Sequence, residues 1–253
     1  MRLNGKVALV TGAAAGLGAG IAEHFIEAGA SVVIFDIDGV GARKHATSLS
    51  TKGAAIAIQG DVASEDDAKR AIATATARFG ALDILVNNAG VEIMHPITDF
   101  KAEDWDRQLN VNLKGAFLFC KHAIPTMAGR GGSIINIASI RAFVSYAGGV
   151  AYDSSKAGLI GFTRTLALEH GKDGIRVNAI CPGYMQTPML DQWLATLEDP
   201  ERTMQELLAF HPLGRIGTPR DVAGAALFLA SEAAGFVTGT SLLVDGGILT
   251  MGH

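Results

Sequence analysis

The stretch Val7-Ala8-Leu9-Val10-Thr11-Gly12-Ala13-Ala14-Ala15-Gly16-Leu17-Gly18 decides how this chain folds. Its apolar run has no polar alternation, as a strand covered on both faces requires. Three glycines follow, and a helical pattern runs on from Ala19 to Ala28. Without Cβ atoms such a turn bends sharply and lets the backbone approach a pyrophosphate, while the helix N-terminus offers unpaired N–H groups and a favourable dipole. The spacing is GxxxGxG, and by itself it also suits a purely structural turn.

Working outward, similar aliphatic and β-branched runs recur at Ser31–Phe35, Ala54–Ile58, Ile84–Val86, Ser133–Ile137, Arg176–Ile180 and Ser241–Val244, mostly separated by helix-length segments. The alternation predicts an α/β fold, a parallel sheet of about seven strands between two helix layers. The 253 residues are 49% apolar, which suffices for one large core, and we expect a single domain over residues 1–253. Its 31 glycines against 11 phenylalanines, 3 tyrosines and 2 tryptophans suit tight turns and close helix–sheet packing. The one long departure is 183–218, where Thr187, Pro188, Pro200, Pro212 and Pro219 punctuate one or two short helices before Asp221 starts another. An insertion of that kind often covers a site.

The bulk charge excludes some functions. A formal net charge of −4 with no Lys/Arg-rich run argues against nucleic acid and anionic membranes as partners. No apolar run reaches membrane-spanning length and no cleavable apolar segment precedes the first strand, so a cytoplasmic protein is expected. Cys120 and Cys181 are too few for a disulfide framework and read as small reduced core residues. His24, His45, His95, His122, His170, His211 and His253 lack clustered ligand spacing, so no metal is expected.

Asp36 closes the second strand, where a carboxylate can accept hydrogen bonds from an adenosine ribose diol. It would repel a 2′-phosphate, and neither Ala13–Ala15 nor Ile37 offers a compensating cation, so the dinucleotide is expected to be NAD rather than NADP. The alternative role for Asp36 is a turn or N-cap before Gly39. Asp61-Val62 and Asn87-Asn88-Ala89-Gly90 follow the third and fourth strands, at the carboxyl ends where open α/β sheets bind ligands. Tyr152 and Lys156, four apart on a helical pattern, share one face. A phenol titrates near pH 10, and a neighbouring ammonium would favour its ionised form.

With TGxxxGxG at Thr11–Gly18, NNAG at Asn87–Gly90, Ser139, the YxxxK pair and Pro182-Gly183, the whole chain resembles the short-chain dehydrogenase/reductase family, with the motifs in the family's order and spacing. The resemblance implies a Rossmann-like, doubly wound domain binding NAD. It implies Tyr152 as catalytic acid-base, Lys156 as the group that lowers its pKa and holds the nicotinamide ribose, Ser139 as hydrogen-bond partner of the substrate oxygen, and Asn112 as the holder of a water in the proton relay. The nucleotide residues it implies are Gly12, Ala15, Gly16, Leu17, Gly18, Asp36 and Ile37, then Asp61 and Val62 at the adenine, and Asn88, Ala89 and Gly90 near the adenosine and nicotinamide-side ribose. Pro182, Gly183 and Thr187 complete the set near the nicotinamide and its phosphates.

Glu92, His95, Arg141, Gln186, Asp191, Gln192 and Trp193 could line a polar substrate pocket. Arg141 could hold a substrate anion, or be a surface or interface arginine; Trp193 and Met189 could be the apolar side of a lid helix. The expected reaction is NAD-dependent interconversion of a secondary or anomeric alcohol and a carbonyl, on a sugar, polyol or sugar acid. The alternatives are a 3-oxoacyl-type carbonyl reductase and a non-catalytic NAD-binding sensor. Apolar residues on more than one side of Asp104–Ala128 and Ala151–His170, together with the Thr238–His253 tail, predict a homotetramer.

Overall fold

In the computed structural model, which describes residues 1–251, β1 (Val7–Thr11) enters the glycine turn and α1 (Gly16–Glu27) leaves it. The βα rhythm continues through β2 (Ser31–Asp36), α2 (Gly39–Leu49), β3 (Ala55–Gln59), α3 (Glu65–Phe79) and β4 (Ile84–Asn87). After α4 (Ala102–Leu109), a π-helical turn at Asn110–Lys114 leads into α5 (Gly115–Met127) and β5 (Gly132–Ile137). Then come α6 (Val150–His170), β6 (Ile175–Pro182), α7 (Pro188–Leu194), α8 (Pro200–Ala209), α9 (Pro219–Ala230) and β7 (Ser241–Val244).

The seven strands form one parallel sheet in the order β3-β2-β1-β4-β5-β6-β7. Successive strand side chains leave opposite faces, so a wholly apolar strand serves two cores. Ala8 and Val10 pack with Val32, Ile34 and Val86 beneath α1 and α9, through Ile21, Phe25, Val222 and Ala226. Leu9, Val33, Phe35 and Leu85 face the other way, onto α3 and α5, where Phe35 and Phe119 meet edge to face at 5.0 Å. Cys120 and Cys181 are buried, unpaired thiols. Burial pushes the Cys120 thiol up to about 12, which leaves it inert.

Two helix starts differ from the sequence expectation. The first helix begins at Gly16, not Ala19, so two of the three glycines sit inside its first turn. The last helix begins at Pro219 behind an N-cap at Thr218, and Asp221 is its third residue, reaching back as a capping box. One Asp221 oxygen accepts from Thr218 N and Oγ1, both at 2.7 Å, and the carboxylate pairs with both Arg215 amino groups. The insertion does contain two helices, α7 and α8, whose Leu190, Leu194 and Leu207 make a small core of their own. Along α6, Leu159, Ile160 and Leu166 are buried while Leu168 is exposed, and on α5 Phe117 is exposed. Gly252 and His253, the end of the expected tail contact, lie outside the described residues.

The Asp221 hydrogen bonds hold its carboxyl well below the usual carboxylate range, so its stabilisation is present above the unfolded pKa and is lost as pH falls. Asp221→Ala is expected to cost about 1–2 kcal/mol at pH 7. In paired urea titrations its deficit should shrink below about pH 4; a deficit equally large at pH 3 and pH 7 would contradict this.

Candidate functional site

The chain reverses its direction of winding between β1 and β4, and there the loops leaving the two strands diverge. Asn88 bridges them, its Nδ2 donating to Thr11 O and Gly12 O at 2.9 Å each. Thr11 Oγ1 accepts in return from Asn88 N and Ala89 N. Gly12 and Gly16 have φ of 62° and 58°, a region that L residues rarely adopt. A Cβ on Gly18 would strike Gly12 O, so this glycine lets α1 close onto the loop and does not face the cleft. Ala15, the N-cap of α1, has no side-chain oxygen to accept from the first-turn N–H groups. Those N–H groups are left for a ligand.

From that turn opens a cleft of about 960 Å³ along the carboxyl ends of the strands. Gly12, Ala15, Gly16, Leu17, Asp36, Ile37, Asp61, Val62, Asn88, Ala89 and Gly90 line one end; Pro182, Gly183 and Thr187 line it beside Ser139, Tyr152 and Lys156. The oxygens of Asp36 accept from Ala14 N and Asp38 N, both at 2.9 Å. Asp38, not Asp36, caps α2. Arg43 and Lys44 are exposed on α2, away from the cleft wall. The apolar, uncapped turn and the carboxylate at the end of β2 fit a dinucleotide.

At the other end of the cleft Ser139 caps a short turn by accepting from Arg141 N and lines the wall together with Tyr152. Lys156 Nζ donates to Ile137 O at 2.8 Å and lies 5.5 Å from the Tyr152 ring centre. Burial pushes this ammonium down to about 8. The Tyr152 phenol is pushed up, chiefly by burial and then by the Glu92 charge, with Ser139 and Arg141 pulling it down and Asp153 up. Among the protein's own groups the expected lowering by Lys156 does not appear: Ser139 and Arg141 are what pull the phenol down, and desolvation outweighs both. Asn112 sits behind this wall in the π-helical turn. Its Oδ1 accepts from Val91 N, and its Nδ2 donates to Val91 O and Ser155 Oγ. Both amide hydrogens are thereby taken, one by the Val91 main chain and one by Ser155 of α6, and Gly90 sits between Asn112 and Lys156.

The substrate-side residues divide. Trp193, Met189 and Leu190 of α7 line the cleft, and Trp193 stacks on Tyr184. His95 does not line it: its main chain donates to Gly148 O and its exposed ring rests edge-on against Phe100. Gln186 does not either, because Met185 and Gly217 pair as in a strand, which turns Met185 inward and Gln186 out. Asp191 and Gln192 are exposed. Arg141 is no surface arginine; it is nearly sealed against Glu92 and Asp153. Tyr146, Tyr184 and Asp153 escaped the sequence reading, although Asp153 follows Tyr152 directly. All three tyrosines of the chain line this one cleft.

Because Lys156 is pushed down, its burial disfavours the charged form, and stability rises as pH climbs from 8 towards the unfolded value of 10.5. Against Lys156→Met, the wild type should gain about 2–3 kcal/mol of unfolding free energy between pH 7 and pH 10. Denaturant titrations at the two pH values measure it, and parallel pH profiles would refute it.

Comparison with known proteins agrees with this geometry. The family model described as Enoyl-(Acyl carrier protein) reductase matches residues 12–249. The (2S)-[(R)-hydroxy(phenyl)methyl]succinyl-CoA dehydrogenase subunit of Thauera aromatica is 44% identical, covering 98% of both chains. L-Fucose dehydrogenase of Oryctolagus cuniculus is 41% identical over 97% of this chain and 86% of its own. A short-chain type dehydrogenase/reductase from Mycobacterium marinum superposes with a TM-score of 0.91 at 31% identity, covering 98% of this chain and 96% of its own.

Proposed function

The chain belongs to the short-chain dehydrogenase/reductase family and is an alcohol/carbonyl oxidoreductase, and from that premise we propose that it is an NAD-dependent dehydrogenase of a sugar, polyol or sugar acid. The observation that carries the cofactor half is Asp36 at the end of β2, hydrogen-bonded to Ala14 N with no cation beside it. For the substrate, the reading rests on the hydroxyl and carboxyl groups of Ser139, Tyr146, Tyr152, Tyr184 and Glu92 in the wall, and an L-fucose dehydrogenase among the relatives supports it.

A nicotinamide held beside Pro182, Gly183 and Thr187 would supply hydride transfer to or from the alcohol carbon. Tyr152 takes the hydroxyl proton during oxidation and gives it back during reduction. Ser139 and Tyr152 both donate to the substrate oxygen as charge collects there. The buried Tyr152 needs positive charge beyond the protein's own to ionise near neutrality, which the ring of a bound oxidised nicotinamide would add to that of Lys156 beside it. Asn112 holds the Val91 main chain, and through it Gly90, at the right distance from Lys156. A second reading, reduction of a 3-oxoacyl group, draws on the family model's description and on the apolar side chains of Met94, Met189, Leu190 and Trp193.

Calorimetric titration should show NAD bound at least about tenfold more tightly than NADP, since a 2′-phosphate would meet the Asp36 charge. Tyr152→Phe should lose about 10²–10⁴-fold in kcat while keeping its NAD affinity. Tight NAD binding with turnover unchanged by the substitution would turn the reading towards a nucleotide sensor.

The two unpaired thiols suit the cytoplasm. No described helix is long and apolar enough to cross a membrane. Exposed Phe117 and Leu168 support a homotetramer closed through α5 and α6. Sedimentation at micromolar concentration should give four times the 26.3 kDa chain mass, and a stable monomer would end that proposal.

A further inference from the structure

Arg141 looks at first like an anchor for a substrate anion, but its guanidinium is already taken. Nε pairs with Asp153 at 2.7 Å and Nη1 donates to Glu92 at 3.2 Å. Nη2 occupies the space that a side chain on Gly149 would need. Two aromatic rings crowd it as well, with the Tyr146 ring centre 4.8 Å and the Tyr152 ring centre 5.5 Å from Cζ. The arginine side chain is only 11% exposed and that of Asp153 14%, whereas Glu92 is 24% exposed; Glu92 and Arg141 both line the cleft, and Asp153 lies behind them. Arg141 is thus a strut along the wall, and Glu92 is its more open end.

The other cations of the cleft are engaged or distant. Lys156 is held on Ile137 O. Arg107 stands on α4, one turn before Val111, which packs with Val62 at the opposite end. Among the described residues, no cation is left free to meet a carboxylate near Tyr152. The group of Glu92, Arg141 and Asp153 instead carries one excess negative charge when all three are ionised. What surrounds Tyr152 is a carboxylate acceptor together with the hydroxyls of Ser139, Tyr146 and Tyr184. That set matches neighbouring hydroxyl groups and opposes an anion.

We infer that Glu92 is the specificity-determining residue of this site, accepting hydrogen bonds from hydroxyls of an uncharged polyhydroxy substrate, and that Arg141 and Asp153 are positioning residues that hold it there. The inference rests on the dehydrogenase reading above and narrows it, because sugar acids and hydroxy acids are disfavoured against the neutral sugars and polyols of the same skeleton. A partly desolvated carboxylate makes a stronger hydrogen bond to a hydroxyl than an amide does and repels a second carboxylate at close range.

The test uses matched pairs with NAD: L-fucose with L-fuconate, sorbitol with gluconate, and glycerol with glycerate. For the pair with highest turnover, the wild type should prefer the neutral member by about 100-fold or more in kcat/KM, and Glu92→Gln should cut that preference by about tenfold or more. The loss should fall mainly in KM for the neutral member, with NAD affinity and Tm unchanged. Arg141→Met should shift KM in the same direction, Arg141→Lys should restore part of it, and the double variant with Glu92→Gln should be no worse than the worse single one. Turnover of a neutral substrate with Glu92→Gln leaving the preference intact overturns this inference alone. A wild type that prefers the acid member overturns it too. If no member of any pair is turned over in either direction while NAD binds, the dehydrogenase reading itself fails and takes this inference with it.

Discussion

The amide of Asn88, set between the ends of β1 and β4, is the contact on which the site depends. In a parallel sheet every strand delivers its loop to the same edge, and a crevice forms only where neighbouring loops turn to opposite sides. Here those loops are the glycine turn after β1 and the Asn87–Gly90 segment after β4. Left alone, two diverging loops would splay, and their unpaired carbonyls would face the crevice. Asn88 ties Thr11 O and Gly12 O to β4, while Thr11 Oγ1 takes the Asn88 and Ala89 N–H groups. His45 adds a bond to Ala13 O and Asp36 one to Ala14 N. Gly12 and Gly18 carry no Cβ because that space is filled by Ala89, Asn88 and Gly12 itself. The glycine turn is therefore built as much by what packs behind it as by what it faces.

Chemistry at the far end of the cleft works against the stability of the fold. The Lys156 ammonium and the Tyr152 phenol lie in a wall between β5 and α6 where solvent is scarce, and burial moves both away from their ordinary titration ranges. Arg141 and its two carboxylates add three more charges to the same wall. A hydrophobic lining would be the more stable choice. What the charges provide is order: Arg141 is held between the Glu92 and Asp153 carboxylates, and Lys156 is held on Ile137 O. The rigid parts of that arrangement come from strand ends and the long α6, while the start of the insertion adds Tyr184, Met185, Thr187 and α7.

Much of this was readable before any coordinates. Seven apolar runs became seven strands, each displaced by no more than a residue or two at its ends, because burial on both faces demands an unbroken apolar string that few other elements tolerate. Glycine turn, Asp36, Ser139, Tyr152 and Lys156 were readable because each sits at the end of a strand or on one helix face, where local geometry sets direction. His95 and Gln186 failed for the opposite reason. Both lie in irregular segments, where a single pairing, His95 N with Gly148 O or Met185 with Gly217, decides which way the side chain points.

The sequence alone was enough for the parallel sheet, the glycine turn at its carboxyl edge and the shared helix face of Tyr152 and Lys156, since each follows from periodicity or backbone freedom over short distances. Only the tertiary structure decided what Arg141 does. Its partners Glu92 and Asp153 come from the loop after β4 and the first turn of α6, and whether an arginine faces a ligand or is neutralised in a wall depends on which carboxylates the fold brings within reach. The raised phenol of Tyr152 was decided there too, because desolvation is a property of everything packed around a group and is written in no motif.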